Sequence, residues 1–230
     1  MRVFTIPNVI TSLNLLCGIM GVISAMNGAP DMALVLMLLA AVFDFLDGLA
    51  ARLLHSVSPV GKQLDSLADL VSFGVLPSMM LFCAVREIGF AAYLSLFLAL
   101  MSAFRLAKFN VDDRQCTDFL GLPTPASALF VASMVNCLPV YVPQLAGSAW
   151  FYPAVAFVVG LLLVSEIPMF SMKVAKGHKL MDAKRIVFLV LAVAAIVFAA
   201  VMKDWMLAIL LIFGAYILEN LILCAVPAQK

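Results

Sequence analysis

Charge is scarce in this sequence of 230 residues: charged residues make up 12% of it, whereas hydrophobic residues make up 65%. A soluble globular domain needs more polar cover, so the composition excludes that class and predicts a membrane protein with several spanning helices. The sequence also lacks the small-residue cleavage site that follows the apolar stretch of a secretory signal peptide. We therefore expect the first apolar stretch to remain as a helix.

Cysteine motifs are missing as well. Five cysteines are scattered along the chain and none forms a C-x-x-C pair: Cys17, Cys83, Cys116, Cys137 and Cys224. Four of them lie in apolar runs, where a free cysteine behaves as a small hydrophobic residue. We expect neither disulfides nor a zinc site. No internal repeat or low-complexity tract divides the sequence, so we expect a single domain over residues 1–230.

Eight apolar segments, each near the ~20 residues that a spanning helix requires, alternate with short breaks rich in Pro, Gly or charge. They cover residues 8–26, 31–53, 61–84, 89–109, 124–141, 150–171, 185–201 and 204–224. The expected fold is an all-α, polytopic transmembrane bundle of about eight helices.

The basic residues are distributed unevenly between the two sides of this bundle. If the N-terminus is inside, twelve of the fourteen Lys and Arg residues fall on the inside, and only Arg86 and Lys203 fall outside. Positive charge accumulates on the cytoplasmic side of membrane proteins. We expect both termini to be cytoplasmic.

Four aspartates stand out in the apolar sequence: Asp44, Asp47, Asp65 and Asp69. Each pair shares a helix face, since its members are three or four residues apart, and a short connection makes the two helices antiparallel neighbours. The acidic faces therefore meet at the expected cytoplasmic side, where four carboxylates repel one another unless cations neutralise them. Two divalent cations, Mg²⁺ or Mn²⁺, suit these oxygen ligands and the displacement of a phosphoryl group.

The alternative is that these acids form ion pairs with Arg52, Lys62 and Arg105 that only fix helix packing. Intramembrane acids are usually functional, which favours the metal site. Gly48 and Ala51 leave space on the acidic face for a nucleotide or diphosphate, and Arg52 offers a planar fork to a phosphate. Gly61 is expected to let the chain turn into the third helix.

The pattern D-x2-D-G-x2-A-R-x8-G-x3-D-x3-D over residues 44–69 resembles the signature of the CDP-alcohol phosphotransferase family, membrane enzymes of phospholipid synthesis. The resemblance implies that Asp44, Asp47 and Asp65 bind metals and that Asp69 is both a ligand and the candidate catalytic base. It also implies that Gly48, Ala51 and Arg52 lie against the CDP group. Asn8 and Thr11 share a face of the first helix, and the Pro7-Asn8 pair resembles the nucleotide contact of the family's first helix, although capping or packing explains these residues as well.

Further stretches resemble the phosphatidylserine synthases of bacteria and archaea within this family, and the likeness covers most of residues 4–173. These stretches begin at Leu70, Phe104, Gly121 and Val164. The likeness implies a catalytic core of about residues 1–173, two additional helices over about 185–224, and a homodimer. CDP-diacylglycerol and L-serine are the expected substrates, and no nucleic acid is expected. The expected location is the cytoplasmic membrane of a prokaryote, with the active site facing the cytoplasm.

The acceptor site is the least defined part of the prediction. We expect Arg105, together with Lys108, to hold the serine carboxylate or a lipid phosphate near Asn110, although both cations also suit membrane anchors. Glu166 is expected in the sixth helix, to receive the serine ammonium or to pair with Lys173. Two other functions stay open: a sister enzyme acting on glycerol 3-phosphate, inositol phosphate or another alcohol, and, more remotely, a divalent cation transporter.

Overall fold

The computed structural model describes residues 4–111, 119–169 and 183–225. Within these residues, seven helical spans are long and apolar enough to cross a membrane, and one further apolar helix, Phe151–Val164, is shorter. This confirms the predicted helical membrane bundle. Some of these spans join two of the elements named below. The helices are α1 (Ile6–Met26), α2 (Pro30–Leu53), α3 (Pro59–Asp69), α4 (Leu76–Ala84), α5 (Phe97–Val111), α6 (Thr124–Tyr141), α7 (Pro143–Ala146), α8 (Phe151–Val164), α9 (Ala183–Met202) and α10 (Trp205–Ala225).

The first two helices form an antiparallel pair. Thr5 caps α1, with Pro7 in its first turn, and Pro30 begins α2. Both prolines stand where a helix needs no internal N–H donor. Gly28 has a φ of +77°, a left-handed conformation that glycine adopts without steric cost, so it allows the tight turn between the helices.

A π-helical segment, Leu70–Val75, joins α3 to α4 in one continuous span, Pro59–Ala84. It begins immediately after Asp69. It is packed tightly on both sides: a Cβ on Gly18 would collide with Ser72, and a Cβ on Gly74 would lie 2.9 Å from that of Ser102. The segment is thus wedged between α1 and α5. Insertions of this kind are frequent at functional sites.

Two short 3₁₀ stretches within Arg86–Leu96, separated by a kink at Gly89 with a φ of +77°, lead into α5. A short antiparallel ladder follows α5 in the chain. The ladder pairs β1 (Phe119–Leu120) with β2 (Pro168–Met169). Gly121 follows β1 with a φ of +78°, and a Cβ there would lie 2.5 Å from the Leu163 carbonyl oxygen. Only glycine allows this approach of the loop to α8.

Helix α8 is shorter than the predicted segment 150–171. It ends at Val164, and Ser165 is already extended. Pro168 explains the end, because in a continuing helix its ring would clash with the carbonyl of Val164 and it would offer no N–H. The chain therefore enters β2 instead of another helical turn.

The core lies among α1, α2, α4, α6 and α8, around the fully buried Phe73, Leu76 and Tyr152. Buried serine hydroxyls, such as those of Ser78 and Ser102, donate to the carbonyl four residues earlier at 2.8 Å. This satisfies them where water is excluded. Helices α9 and α10 pack on each other, and α10 also packs on α6.

Candidate active site

The four aspartates lie together between α2 and α3. One carboxylate oxygen from each of Asp44, Asp47 and Asp65 falls within 4.8 Å of the other two. Asp44 is also within hydrogen-bonding range of both Asp65 and Asp69. The two acidic helix faces meet as their spacing indicates, and they form a single cluster of carboxylates.

No described basic side chain pairs with these acids. Arg52 Nε donates to the Gly48 carbonyl at 3.0 Å, Lys62 Nζ donates to the Asn110 carbonyl at 3.2 Å, and Arg105 bonds to Thr124. Asp65 Oδ1 is buried and accepts no hydrogen bond from a described protein group. Uncompensated carboxylates at this separation repel one another, and their oxygens are ligands that hard divalent cations prefer. The donor set therefore fits a divalent metal better than structural ion pairs.

Helix α1 contacts the cluster at two points. The Thr11 hydroxyl lies 2.5 Å from Asp47 Oδ2 and 3.0 Å from the Pro7 carbonyl oxygen. One turn further, Asn14 Nδ2 donates to Asp69 Oδ1 at 3.3 Å. Thr11 was among the predicted site residues, but Asn14 was not. The sequence did offer a sign of its role: Asn14 comes three residues after Thr11, and residues three apart share a helix face.

A cavity of about 310 Å³ opens beside the cluster. All six residues predicted to contact the nucleotide line it: Asn8, Thr11, Gly48, Ala51, Arg52 and Gly61. A Cβ on Gly48 would meet no atom within 4 Å, so this glycine faces open space. The lack of side-chain bulk on α2 keeps that volume available to a ligand.

Gly61 has a different role from the predicted one. It lies inside α3, and the turn into that helix is made by Ser58, whose hydroxyl accepts a hydrogen bond from the Gly61 N–H at 3.0 Å. A Cβ on Gly61 would lie only 3.0 Å from Asn8 Oδ1. The glycine therefore permits close contact between α1 and α3 at the cavity wall.

Arg105 is the buried cation nearest to the cluster. Its side chain is 8% exposed, and Nη1 donates to Thr124 Oγ1 at 2.6 Å. Its guanidinium carbon also lies 5.8 Å from the centre of the Phe109 ring. Asp69 lies within electrostatic range of the guanidinium. Thr124 was not among the residues predicted from the sequence. It lies in α6 and holds Arg105 through this hydrogen bond.

The other predicted acceptor residues lie further out. Glu166 follows the end of α8 and is not in a helix, so the prediction of a helical Glu166 was wrong. It pairs with Lys108 at 3.4 Å, and its side chain is 70% exposed. Asn110, in the last turn of α5, donates to Ser66 Oγ at 2.8 Å. Lys173 lies outside the described residues.

The part of the sequence that builds this site matches a known protein family. A family model described as CDP-alcohol phosphatidyltransferase matches residues 4–164, an interval that contains the aspartates, the cavity and the Arg105–Thr124 pair. The chain belongs to the CDP-alcohol phosphatidyltransferase family. Membership confirms the resemblance carried by the signature over residues 44–69.

Several relatives within the CDP-alcohol phosphatidyltransferase family are named CDP-diacylglycerol–serine O-phosphatidyltransferase. The protein from Mycobacterium bovis is 31% identical over 217 residues, which cover 89% of this chain and 74% of the relative. The protein from Methanocaldococcus jannaschii is 33% identical over 166 residues, covering 72% and 74%. That from Helicobacter pylori is 28% identical over 225 residues, covering 95% and 90%. A match over 95% of the chain necessarily includes most of α9 and α10, which lie beyond the family model.

Proposed function

We propose that this protein transfers the phosphatidyl group of CDP-diacylglycerol to the hydroxyl of L-serine, forming phosphatidylserine and CMP. One observation carries the proposal: the cluster of Asp44, Asp47 and Asp65, with Asp69 beside it, adjoins a cavity of about 310 Å³ whose wall includes the predicted nucleotide contacts. The names of the relatives support serine as the acceptor.

Asp44, Asp47, Asp65 and Asp69 would hold two divalent cations, Mg²⁺ or Mn²⁺. When bound, such cations neutralise the diphosphate and polarise the oxygens around the reacting phosphorus. The protein itself positions the substrate. Gly48 and Ala51 let the nucleotide approach α2, and Asn8 and Thr11 border it from α1. Arg52 lies at the exposed rim of the cavity, where its guanidinium can bind a phosphate oxygen.

Asp69 is the proposed base. It takes the proton of the serine hydroxyl while the hydroxyl oxygen forms a bond to the phosphorus that carries diacylglycerol. The bond between that phosphorus and the bridging oxygen of the diphosphate breaks, and CMP leaves with the electron pair. Position and charge neutralisation supply most of the catalysis of such a displacement.

Arg105 is the proposed acceptor contact. A guanidinium has five N–H donors. Thr124 occupies one nitrogen, whereas Nε has no hydrogen-bond partner among the described residues. The free edge of this planar fork suits a carboxylate. Lys108 and Glu166 already pair with each other at the exposed end of α5, so the proposal for serine depends mainly on Arg105.

The surroundings of the enzyme are part of the proposal. The basic residues favour a multi-pass protein of a prokaryotic inner membrane, with both termini and the aspartates on the cytoplasmic side. The lipid chains of the substrate would remain in the bilayer. We also propose one domain over residues 1–230, with a catalytic core of about 1–173, that functions as a homodimer.

The direct test is to incubate the purified protein with CDP-diacylglycerol and, separately, serine, glycerol 3-phosphate and inositol phosphate. We expect CMP and a serine-containing lipid with serine alone, and no product after chelation of divalent cations. Product formation from another alcohol would instead indicate a sister enzyme. Metal-dependent ion flux without CMP release would indicate a transporter.

A further inference from the structure

Asn14 joins α1 to the chain around Asp69 at two points. Its side chain is fully buried. Nδ2 donates to Asp69 Oδ1 at 3.3 Å, and the Asn14 carbonyl accepts a hydrogen bond from Ser72 Oγ at 3.1 Å. Ser72 follows Asp69 by three residues, in the π-helical segment. The two contacts hold one short stretch of chain against α1.

The contacts of Asn14 differ from those of an asparagine that only joins helices. Polar side chains in membrane bundles commonly join helices by hydrogen bonds, and such a bond can use any acceptor on the neighbouring helix, including a backbone carbonyl. Asn136 does this: its Nδ2 donates to the carbonyls of Ala132 at 2.8 Å and Pro30 at 3.1 Å. The only hydrogen-bond partner of Asn14 Nδ2 among the described residues is Asp69. The amide therefore directs its donor at a carboxylate of the candidate site.

A neutral donor suits a carboxylate that also has to bind cations. A Lys or Arg at this position would also orient Asp69, but its charge would pair with the carboxylate and repel the divalent cations proposed for the cluster. An amide fixes one oxygen and adds no charge. The other oxygen of Asp69, Oδ2, is left for the proposed cation and the acceptor alcohol.

We propose that Asn14 is a positioning residue of the reaction: its amide nitrogen holds Asp69 in the orientation in which Asp69 takes the proton of the acceptor hydroxyl. This inference rests on the proposed function. It assigns to α1 a part in the chemical step in addition to its contact with the nucleotide.

The test compares Asn14→Leu with the matched change Asn136→Leu. Asn136 contacts Pro30, and the helical rise from Pro30 to Asp44 places that contact about 20 Å from the aspartates along the bundle axis. We expect Asn14→Leu to lower kcat about 100-fold, within the range of a lost proton-transfer contribution, while KM for CDP-diacylglycerol stays within about twofold. Asn136→Leu should lower the melting temperature and leave kcat near that of the wild type. Equal losses of kcat in the two variants would overturn the inference. Asn14→Ala, which adds no bulk, serves if the leucine variant does not fold.

A second measurement uses the Asp69→Asn background. With the proton acceptor removed, adding Asn14→Leu should slow turnover no further, because the two residues act in the same step. If the double variant instead loses turnover by the product of the two single losses, the inference is wrong. Calorimetric titration of the Asn14→Leu protein with CDP and Mn²⁺ should give an affinity close to that of the wild type, because the group of Asp44, Asp47 and Asp65 is untouched, and lost CDP binding would make Asn14 a binding residue instead. A wild-type protein that releases no CMP refutes the proposed function, whereas an active wild type with an equally active Asn14→Leu variant refutes only this inference.

Discussion

The Thr11 hydroxyl lies 2.5 Å from Asp47 Oδ2, although 36 residues separate the two in the chain. Asp47 is 6% exposed, the most buried carboxylate of the cluster. A charged acceptor is stronger than the backbone carbonyl of Pro7, which also lies near the hydroxyl, so the proton of Thr11 is directed at Asp47. This bond fixes α1 to the acidic face of α2 at the cavity wall.

Replacing Thr11 by Val keeps the shape of the side chain and removes this donor. An unsatisfied buried acceptor costs about 1–3 kcal/mol. A cost of that size corresponds to a fall in CDP affinity of roughly 5- to 160-fold, which we expect because Asp47 no longer has a fixed orientation. Calorimetric titration with CDP and Mn²⁺ measures the change. Thr11→Ser, which keeps the hydroxyl, should stay close to wild type, and equal affinities of the Val and Ser variants would show that only packing matters.

Gly48→Val should reduce CDP affinity while the protein stays folded. No atom lies within 4 Å of a Cβ at Gly48, so the added side chain fills the cavity without a clash in the protein. Val also has a better helix propensity than Gly, mainly because a glycine leaves more backbone freedom in the unfolded chain, so the exchange does not weaken α2. We expect a loss of CDP binding of at least tenfold with an almost unchanged melting temperature.

The control for Gly48 is Gly214→Ala in α10. A Cβ there would lie 3.6 Å from Phe130, an ordinary contact, and Gly214 does not line the cavity. This variant should bind CDP like the wild type. An unchanged affinity of Gly48→Val would mean that the nucleotide does not use this cavity.

Arg105→Gln should raise KM for serine at least tenfold and leave KM for CDP-diacylglycerol nearly unchanged, because the guanidinium is the proposed partner of the serine carboxylate. Arg105→Lys should recover little of the loss, since an ammonium cannot reproduce the planar fork that also bonds to Thr124. Steady-state kinetics with each substrate varied in turn gives both constants. Lys203→Gln, which removes an exposed charge just after the end of α9, is the control, and an equal serine KM in both variants would remove Arg105 from the acceptor site.

Much of this arrangement could be predicted from sequence because two strong patterns define it. Apolar runs of spanning length predicted the helices, and Asp residues three and four apart predicted that the acidic faces meet. The end of α8 was missed because the run continues past Val164 in hydropathy, and the backbone geometry around Pro168 decides where the helix stops.

Sequence periodicity could not predict contacts between residues that are far apart in the chain. Thr124 meets Arg105 across 19 residues, and Ser72 meets Asn14 across 58. Periodicity within a helix shows which residues share a face, but it does not show which neighbour that face touches. For the same reason the pair between Lys108 and Glu166, 3.4 Å apart, was not predicted.

A polar bridge between α3 and α5 leads to the last prediction. Asn110 Nδ2 donates to Ser66 Oγ at 2.8 Å, and Lys62 Nζ donates to the Asn110 carbonyl at 3.2 Å. Ser66 stands directly after Asp65, and Asn110 stands on the helix that carries Arg105. The bridge thus sets the position of the proposed acceptor contact relative to the carboxylates. Because a net hydrogen bond contributes about 0.5–1.5 kcal/mol, Ser66→Ala should raise KM for serine roughly 2- to 12-fold.

The reciprocal exchange of these two residues separates a bridge from a direct substrate contact. If Asn110 acts through Ser66, Asn110→Ser should match Ser66→Ala, and the double variant Ser66→Asn with Asn110→Ser should regain much of the serine affinity by restoring an amide–hydroxyl pair across the same helices. If Asn110 instead touches serine, Ser66→Ala has no effect and the exchange restores nothing. Serine saturation curves of the three variants, with Gln63→Ala as an exposed control on α3, decide between these outcomes.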